Sequence, residues 1–347
     1  MKIVLDDIQC KDDLYPFTLT RSTADIRVGI LTIREKWEML LKKEVKTISE
    51  LGVDEKDKEN IIVPANILPT SNLIKSIKNK KKSEHIQECV KIGFPWHIFQ
   101  YNDVAIREDF DLIIKNRKSK KISKTNVIIG KDIFIEEGAK IEHSILNASA
   151  GPIYIGKNAE IMEGCIIRGP FAMCEGSVLK MGAKVYGSTT IGPYSIAAGE
   201  IKNSVLFGFS NKAHDGYLGD SVIGEWCNLG AGTSNSNIKN TGGVVKIWNG
   251  CTEKYVIAGF KCGTLMGDYC RTAINTSLNT GTVLGVSSNV FGKGFPPNFI
   301  ESFSWGDKKY ELEKALEHIN NWKKLKGHTL SEKEKNLLSD IYNKIIK

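Results

Sequence analysis

The sequence predicts an α+β chain in which a small N-terminal α/β domain is followed by a parallel β-helix and then by C-terminal helices. Apolar or small residues recur at steps of six from Ile129 onward, and six residues is the period of the hexapeptide β-helix. Glycine is frequent, at 32 of 347 residues, whereas proline is rare, at 9. That ratio suits a fold with many tight and regular turns. The patterns on either side of the repeat are those of strands and amphipathic helices.

The N-terminal domain is assigned to residues 1–125, where strand and helix patterns alternate. Residues 1–7 predict a short strand, residues 30–43 a helix and residues 60–63 a second strand. Such alternation is typical of a small α/β unit. A chain of 347 residues is long enough for two domains with a sizeable core.

The repeat domain is assigned to residues 126–300. Each hexapeptide forms one short strand and a turn, and three of them complete one coil, so one apolar residue per repeat is expected to face inward. The repeat is interrupted at Phe207–Tyr217 and at Thr233–Thr252, where we expect loops that leave the coil and carry function. The predicted inward positions are Ile129, Ile135, Ile141, Ile155, Ile161, Ile167, Met173, Leu179, Val185, Ile191 and Ala197.

Residues 301–347 form a C-terminal tail with two predicted amphipathic helices, Lys308–Trp322 and Ser331–Lys347. Leucine, isoleucine and tryptophan side chains recur on one stripe of the first helix, as expected of a helix that packs on a core. Ser331 and Glu334 have the spacing of a capping box for the second helix.

No targeting or membrane-spanning segment is expected. The first twenty residues lack the apolar core of a secretory signal, and no apolar run approaches the roughly 18 residues of a bilayer span. None of the eight cysteines forms a Cys-x-x-Cys pair, which argues against zinc ribbons and thioredoxin-type sites. We therefore expect reduced thiols and a cytoplasmic location.

The chain is basic, with 48 Lys and Arg against 40 Asp and Glu and a formal net charge of +8. Much of the excess lies in Lys75–Lys82 and Arg117–Lys124. A nucleic-acid-binding protein would interleave such runs with aromatic residues or place them in a helix-turn-helix, and neither pattern is present. The favoured interpretation is a solvated basic face that attracts phosphorylated small molecules or coenzyme A. Neither nucleic acid nor a membrane is expected as a partner.

One histidine of the repeat domain stands out from its surroundings. His143 lies in a regular repeat, where an outward-facing structural role is expected, whereas His214 lies in the first interruption. Tyr217 follows His214 by three residues, and Glu200 and Lys202 precede it. A neutral imidazole, with an ordinary pKa of about 6.5, can remove the proton of an amine as that amine attacks an acyl group.

The stretch 199–240 contains a lysine, then His-x-x-Tyr-x-Gly-Asp, then Asn-Leu-Gly-Ala-Gly-Thr. This pattern resembles the acetyltransferase domain of the bifunctional UDP-N-acetylglucosamine diphosphorylase/glucosamine-1-phosphate N-acetyltransferase family. The opening stretches Phe17–Arg21 and Ala24–Trp37 are similar to an alternative branch of that family, found in Bacteroidetes-type bacteria. The resemblance spans most of residues 1–300. It implies a left-handed β-helix, a homotrimer with sites between neighbouring subunits, and acetyl-CoA as co-substrate in nucleotide-sugar synthesis.

The resemblance also implies a role for each residue of the pattern. His214 would act as general base, oriented by Glu200, on the amine of an amino sugar 1-phosphate, with glucosamine 1-phosphate as the first candidate, while Lys202 would meet the phosphate. The other implied contacts are Tyr217 and Asn228 with sugar hydroxyls or phosphate, and Asn237 and the backbone amide of Ala231 with the thioester carbonyl and its developing oxyanion.

Residues 1–125 lack the Gly-rich loop with which sugar nucleotidyltransferases cradle phosphates. Arg21, Asp25 and Lys36 are the candidate nucleotide-binding residues, and Asp6 or Asp7 is the candidate Mg²⁺ ligand if this domain is active. A degenerate domain, or one that organises the oligomer, is the alternative.

Two other classes of function stay open. A sugar-1-phosphate nucleotidyltransferase whose β-helix only oligomerises or regulates would release pyrophosphate without His214. A non-catalytic scaffold would turn over no acyl-CoA. A metal hydratase with the same repeat is disfavoured, because it needs three histidines around zinc and the repeat domain has two, widely separated.

Overall fold

The computed structural model describes residues 2–52, 60–78 and 89–346. Part of the basic run Lys75–Lys82 therefore lies outside the described residues. Within these ranges the chain forms an α/β unit, a parallel β-helix and a helical tail. The predicted fold class is confirmed.

The N-terminal unit has a small parallel sheet with helices around it. Its strands are β1 (Lys2–Asp6), β2 (Lys46–Thr47) and β3 (Asn60–Pro64). Its helices are α1 (Ile33–Leu41), α2 (Ile48–Leu51), α3 (Ser71–Lys78), α4 (His97–Gln100) and α5 (Asn102–Ile114). The strand order is β2-β1-β3, and both predicted strands are confirmed.

Helix α1 is shorter than the helix predicted over residues 30–43. Thr32 and Glu35 form a capping box, so the helix begins at Ile33. Lys42 has a left-handed backbone with a φ of 56°, which ends the helix at Leu41. The capping residues therefore set both ends.

The β-helix has three parallel sheets as its faces, as counted over the described residues. The first face contains Val127–Ile129, Ile145–Asn147, Ile166–Arg168, Lys184–Val185, Glu200–Lys202 and Tyr217–Gly219. The second face contains Ile133–Ile135, Ile153–Ile155, Phe171–Met173, Thr189–Ile191, Val205–Leu206, Val222–Ile223, Leu265–Met266, Val283–Leu284 and Phe299–Ile300. The third face contains Lys140–Ile141, Glu160–Ile161, Val178–Leu179, Ile196–Ala197, Asn211–Lys212, Asn228–Leu229, Arg271–Thr272, Asn289–Val290, Ser304–Trp305 and Lys308–Lys309. Ser234–Asn235 and Ser277–Leu278 pair as a short sheet of their own.

Inward side chains stack in register along each face and fill the β-helix. The predicted inward residues from Ile135 to Ala197 are all buried, each at 6% exposure or less. The prediction for Ile129 is wrong by one position. Ile128 pairs with the buried Leu146, and side chains alternate along a strand, so Ile129 faces outward and is 42% exposed.

The first predicted interruption is not a loop that leaves the coil, so this expectation is corrected. Val205–Leu206, Asn211–Lys212 and Tyr217–Gly219 lie on the three faces and pair with the coil below. The coil is merely short: Thr190 pairs with Val205 fifteen residues on, whereas Ala172 pairs with Thr190 eighteen residues on. Shortened corners break the hexapeptide period without breaking the stack.

The second predicted interruption does leave the coil. Val245–Asn249 and Lys254–Gly259 form an antiparallel hairpin. Asn249 Nδ2 donates to the Asp12 carbonyl at 2.9 Å, and the Ala258 carbonyl accepts from Gln100 Nε2 at 3.2 Å. The hairpin therefore fastens the N-terminal unit to the β-helix.

The corner between the second and third faces, here called the aromatic corner, carries bulky rings on a left-handed backbone. It is occupied by Tyr194, Phe209, Trp226, Tyr269 and Phe303, each with a φ between 54° and 62°. This backbone region disfavours large side chains, so the rings must be held by packing. Phe209 stacks on Trp226 with ring centroids 4.3 Å apart and on Tyr194 at 5.3 Å.

The tail folds onto the aromatic corner as helices α6 (Leu312–Lys324) and α7 (Glu332–Ile346). Hydrogen bonds between Ser331 and Glu334 run in both directions, which confirms the predicted capping box. The predicted start of the first helix at Lys308 is wrong, because Lys308–Lys309 pairs antiparallel with Ser304–Trp305.

The N-terminal unit lies along the second face over most of its length. Its contacts include polar pairs at the early coils and aromatic pairs at the later ones. In coil order they are Arg107 with Ala150, Asn102 with Ser188, Phe17 with Phe207, and Tyr15 with Phe299. The second face is therefore covered by the N-terminal unit and the aromatic corner by the tail. The first face stays open in the described chain, with Ile166 52% and Tyr186 44% exposed.

A buried ion pair joins the N-terminal unit to the β-helix. The Arg21 guanidinium pairs with Asp268 and lies 3.0 Å from a carboxylate oxygen of Glu225. Thr20 Oγ1 donates to the same Asp268 carboxylate at 2.6 Å. Burial lowers the pKa of Arg21, but the two carboxylates outweigh it and raise that pKa above its usual range. The Arg21 guanidinium therefore keeps its charge at neutral pH.

None of the described helices is long and apolar enough to cross a bilayer.

We expect Arg21→Met to lower the free energy of unfolding by about 3 kcal/mol, because the Asp268 carboxylate would remain buried without its cation. Denaturant unfolding at fixed protein concentration measures the loss. Lys120→Met is the control, since the Lys120–Glu137 pair is exposed and its removal should change the free energy by less than about 1 kcal/mol. Equal effects of the two substitutions would contradict the role of the buried pair.

Candidate functional site

The residues of the predicted site are spread along the first face and the elements beside it. The corner between the third and first faces is here called the open corner. Glu200 and Tyr217 pair in register on the first face, and Lys202 ends the strand that Glu200 begins. His214 lies at this corner, between the third-face strand Asn211–Lys212 and Tyr217. Ala231 lies at the same corner one coil later, and its carbonyl accepts from the backbone N–H of Asn275 on the coil after that.

His214 presents its ring to solvent. The residue is exposed, and within the described part of the chain its imidazole makes no hydrogen bond. Gly216 lets the next coil pack close behind it, because a side chain there would collide with the Thr233 carbonyl oxygen. A free imidazole at an exposed corner can accept a proton from a bound molecule.

Lys212 holds the His214 backbone from inside the β-helix. It occupies an inward position of the third face, in register with Ala197, and is 2% exposed. Its ammonium donates to the carbonyls of His214 at 2.6 Å and Ala198 at 3.3 Å. Burial lowers the pKa of Lys212 to about 8. Sequence analysis missed this residue, although extending the inward column by one short coil would have found it.

Tyr217 and Asn237 meet over a buried carboxylate. Asn237 Nδ2 lies 3.2 Å from the Tyr217 hydroxyl and also donates to Asp220. The other Asp220 oxygen accepts from Asn203 Nδ2 at 2.6 Å. Burial, followed by the Asp220 and Glu200 charges, raises the pKa of Tyr217 to about 12, so the phenol keeps its proton. Asp220 closes the same sequence motif as His214 and Tyr217, which is the signal that marks it.

The structure sets Asn228 apart from this group. Asn228 lies on the third face, between Asn211 and Arg271 in register, so it is on the other side of the open corner from Tyr217. The tail reaches this side: Lys326 Nζ donates to Asn211 Oδ1 at 3.0 Å and to the Tyr194 carbonyl. Burial lowers the pKa of Lys326 to about 8.

Two cavities continue the open corner beyond Ala231. One of about 230 Å³ is lined by residues that include Ile274, Asn275 and Phe291. A larger one of about 710 Å³ shares Phe291 and the neighbouring Lys293 and adds Lys308. Together they offer exposed aromatic rings and ammonium groups along one edge of the β-helix.

The N-terminal candidates are already engaged. The Arg21 guanidinium pairs across the domain interface, as described above. Asp25 accepts from Arg34 Nε at 2.6 Å. Lys36 is 4% exposed, and its ammonium pairs with Asp109 on α5. A phosphate at these positions would have to displace existing partners.

The two candidate metal ligands also have partners. Asp6 Oδ1 accepts from the backbone of Ile8 at 3.0 Å, and Asp7 accepts from the Ser49 hydroxyl at 2.6 Å. Among the described residues no group of three or more His, Cys, Asp or Glu side chains is arranged to hold a metal ion. Both carboxylates would therefore have to give up a hydrogen bond to hold Mg²⁺, which proteins usually bind through one or two carboxylates together with waters and substrate phosphates.

Comparison with known proteins agrees with the resemblance seen in the sequence. A family model for sugar nucleotidyl transferases matches residues 2–89. The bifunctional protein GlmU of Methanocaldococcus jannaschii is 27% identical over 310 residues, which cover 78% of this chain and 69% of that protein. The bifunctional sugar-1-phosphate nucleotidylyltransferase/acetyltransferase of Sulfurisphaera tokodaii is 28% identical over 254 residues, or 70% of this chain and 53% of that protein.

A GlmU protein of Methanococcus maripaludis is 30% identical over 221 residues, or 64% of this chain and 47% of that protein. The chain thus spans about half the length of several curated relatives that it matches. Its similarity to bifunctional sugar-phosphate transferases is confirmed for both the N-terminal unit and the β-helix.

We expect Lys212→Met to change how stability depends on pH. The folded state releases the Lys212 proton near pH 8, whereas the unfolded chain keeps it to about pH 10.4. The unfolded state therefore binds more protons in this window, so this lysine makes the wild type more stable as the pH rises from about 8 to about 10.4.

The measurement is the difference in free energy of unfolding between wild type and Lys212→Met at several pH values. Taking the difference cancels other titrating groups. A difference that stays constant across the window, or moves against the wild type as pH rises, would contradict the burial of a titrating ammonium behind His214.

Proposed function

We propose that the chain is an acetyl-CoA-dependent N-acetyltransferase acting on an amino sugar 1-phosphate, with glucosamine 1-phosphate as the first candidate, in nucleotide-sugar synthesis. The observation that carries the proposal is the free His214 imidazole at the open corner, three residues before Tyr217, whose hydroxyl accepts from Asn237. The relative from Sulfurisphaera tokodaii, which is named as an acetyltransferase, supports the same class of reaction.

The proposed reaction transfers an acetyl group from sulfur to nitrogen. The free amine attacks the thioester carbonyl carbon while His214 takes the amine proton. The carbon–sulfur bond then breaks, and the coenzyme A thiolate leaves with a proton returned from the imidazolium. The Ala231 N–H makes no hydrogen bond within the described residues, so it is free to meet the oxyanion. Lys202 is exposed and would meet the sugar phosphate as a point charge.

Acetyl-CoA would enter along the open corner. Its long pantetheine arm needs an extended groove, and its nucleotide end needs cations and flat apolar surface. The two cavities beyond Ala231 supply Lys293, Lys308 and the ring of Phe291. This arrangement supports a co-substrate that reaches His214 from the C-terminal end of the β-helix.

Nucleotidyl transfer is the second candidate function, and the match of residues 2–89 favours it. In that case the chain would form a nucleotide sugar from a sugar 1-phosphate in the N-terminal unit. The existing partners of Arg21, Asp25 and Lys36 stand against a ready-made phosphate cradle there. Pyrophosphate release that survives loss of His214 would identify this activity.

We expect His214→Ala to lower kcat for coenzyme A release from acetyl-CoA and glucosamine 1-phosphate by about 10²- to 10⁴-fold, because the amine would lose its general base. His143→Ala is the matched control and should retain wild-type activity, since His143 lies at a regular corner several coils before His214. A His214→Ala enzyme with full turnover would reject the assignment. Absence of turnover in the wild type with a panel of amino sugar phosphates would favour nucleotidyl transfer or a scaffold.

We expect the active form to be a homotrimer. The first face is open and exposes Val127, Ile166 and Tyr186, and the Lys202 ammonium lies 6.0 Å from the centre of the Tyr186 ring. A neighbouring chain seated on this face would complete a site at the open corner. Gel filtration with light scattering should therefore give three times the mass of one chain. A fully active monomer would contradict this assembly.

A further inference from the structure

The Asp220 carboxylate is buried and its hydrogen-bond partners are neutral side chains. The residue is 4% exposed, and among the described residues no lysine or arginine forms an ion pair with it. Its two oxygens accept instead from the side-chain amides of Asn203 and Asn237. A buried charge is costly unless it is fully hydrogen-bonded, so this group needs an explanation.

The backbone around Asp220 fixes where the carboxylate lies. Its φ is 48° and that of Asn203 is 47°, so both occupy left-handed corners on successive coils. The Asp220 N–H donates to the Lys202 carbonyl at 3.1 Å, and its own carbonyl accepts from Gly263 at 2.8 Å. The side chain therefore stands between the coil of Lys202 and the coil of Asn237.

An ionised carboxylate can only accept hydrogen bonds. Asn237 must therefore turn Nδ2, and not Oδ1, toward Asp220. The second Nδ2 hydrogen goes to the Tyr217 oxygen at 3.2 Å. Two consequences follow: Asn237 presents only its Oδ1, so it cannot donate to the thioester carbonyl, the contact that the sequence resemblance implied for it, and that role falls to the Ala231 N–H. The Tyr217 O–H hydrogen is free to donate outward.

We propose that Asp220 is a positioning residue that sets the direction of the hydrogen bonds at the substrate site. Through Asn237 and Tyr217 it gives the site one acceptor and one donor in fixed places. A ligand with an N–H next to an oxygen matches that pair, as an amino sugar does with its amine and adjacent hydroxyl. This inference rests on the proposed acetyl transfer.

Asp220→Asn tests the direction of the hydrogen bond between positions 220 and 237. The substitution keeps the size of the side chain and its tolerance of a left-handed backbone. The introduced amide could offer either its oxygen or its nitrogen to Asn237, so the Asn237 amide would be free to reverse. We expect kcat/KM for glucosamine 1-phosphate to fall about 10- to 100-fold, because a reversed amide leaves polar groups unpaired in the bound state. KM for acetyl-CoA should stay within about twofold.

The double variant Asp220→Asn/Asn203→Asp is the rescue. The carboxylate introduced at position 203 would only accept, so the amide introduced at position 220 must donate to it and turn its oxygen toward Asn237, which restores the original direction. We expect most of the lost kcat/KM to return. Asn158→Gly is the control: Asn158 is exposed at a corner of an early coil with a φ of 55°, glycine tolerates that φ, and the Asp220 hydrogen bonds are untouched, so activity should stay within about twofold of wild type.

The outcomes separate the inference from the function on which it rests. Wild-type kcat/KM in Asp220→Asn, or failure of the double variant to recover activity, would overturn the directional role. A wild type without acetyl transfer would reject the proposed function instead. The thermal unfolding midpoints would still test the network in that case. We expect Asp220→Asn to lower the midpoint and the double variant to recover it; a double variant without this recovery would show that the inferred direction is wrong.

Discussion

The hydrogen bonds between successive coils are the interaction on which the rest of the structure depends. Each coil donates to and accepts from its neighbours along three faces, so the backbone of one coil fixes the height of the next. The type of residue varies more at the corners, where the residues with a left-handed backbone include glycine, asparagine, aspartate and aromatic residues. Different side chains occupy the three corners, and each set has a different role. Aromatic rings hold the tail at one corner, Asn203 and Asp220 hydrogen-bond to each other at the second, and the third corner presents His214.

Rigidity of this kind suits catalysis on exposed side chains. Tyr217 lies on a strand of the stack, and Asn237, just beyond the strand Ser234–Asn235, is held by its carbonyl, which accepts from the Cys262 N–H at 3.0 Å. Groups held by such a framework can be oriented before a ligand arrives, which lowers the cost of reaching the transition state. Lys212 extends the same logic inward, because a buried ammonium replaces an apolar side chain and clamps the backbone of His214. The β-helix thus replaces one apolar side chain of its core with an ammonium that fixes the His214 backbone.

The sequence predicted the architecture well because each strand and turn of a coil takes six residues and places one side chain inward, which produces the six-residue period. Boundaries failed where a local interaction competed with the period. Thr32 and Lys42 cut helix α1 short, and the strand Lys308–Lys309 replaced the first turn of a predicted helix. The short coil at Phe207–Tyr217 looked like an excursion because shortened corners shift the register without leaving the stack. The pairing of Arg21 with Asp268 joins residues far apart in the chain, and no local pattern signals it.

The docking of the N-terminal unit has a further implication for how this chain can evolve. A solenoid can in principle gain or lose whole repeats, because each coil contacts only its neighbours. Here one rigid body touches the β-helix at Ala150, Ser188, Phe207 and Phe299. Insertion of one coil would displace everything beyond it by the roughly 4.8 Å spacing between adjacent strands, and the later contacts would miss their partners. Because the N-terminal unit contacts both early and late coils, the number of coils and the shape of this unit must change together.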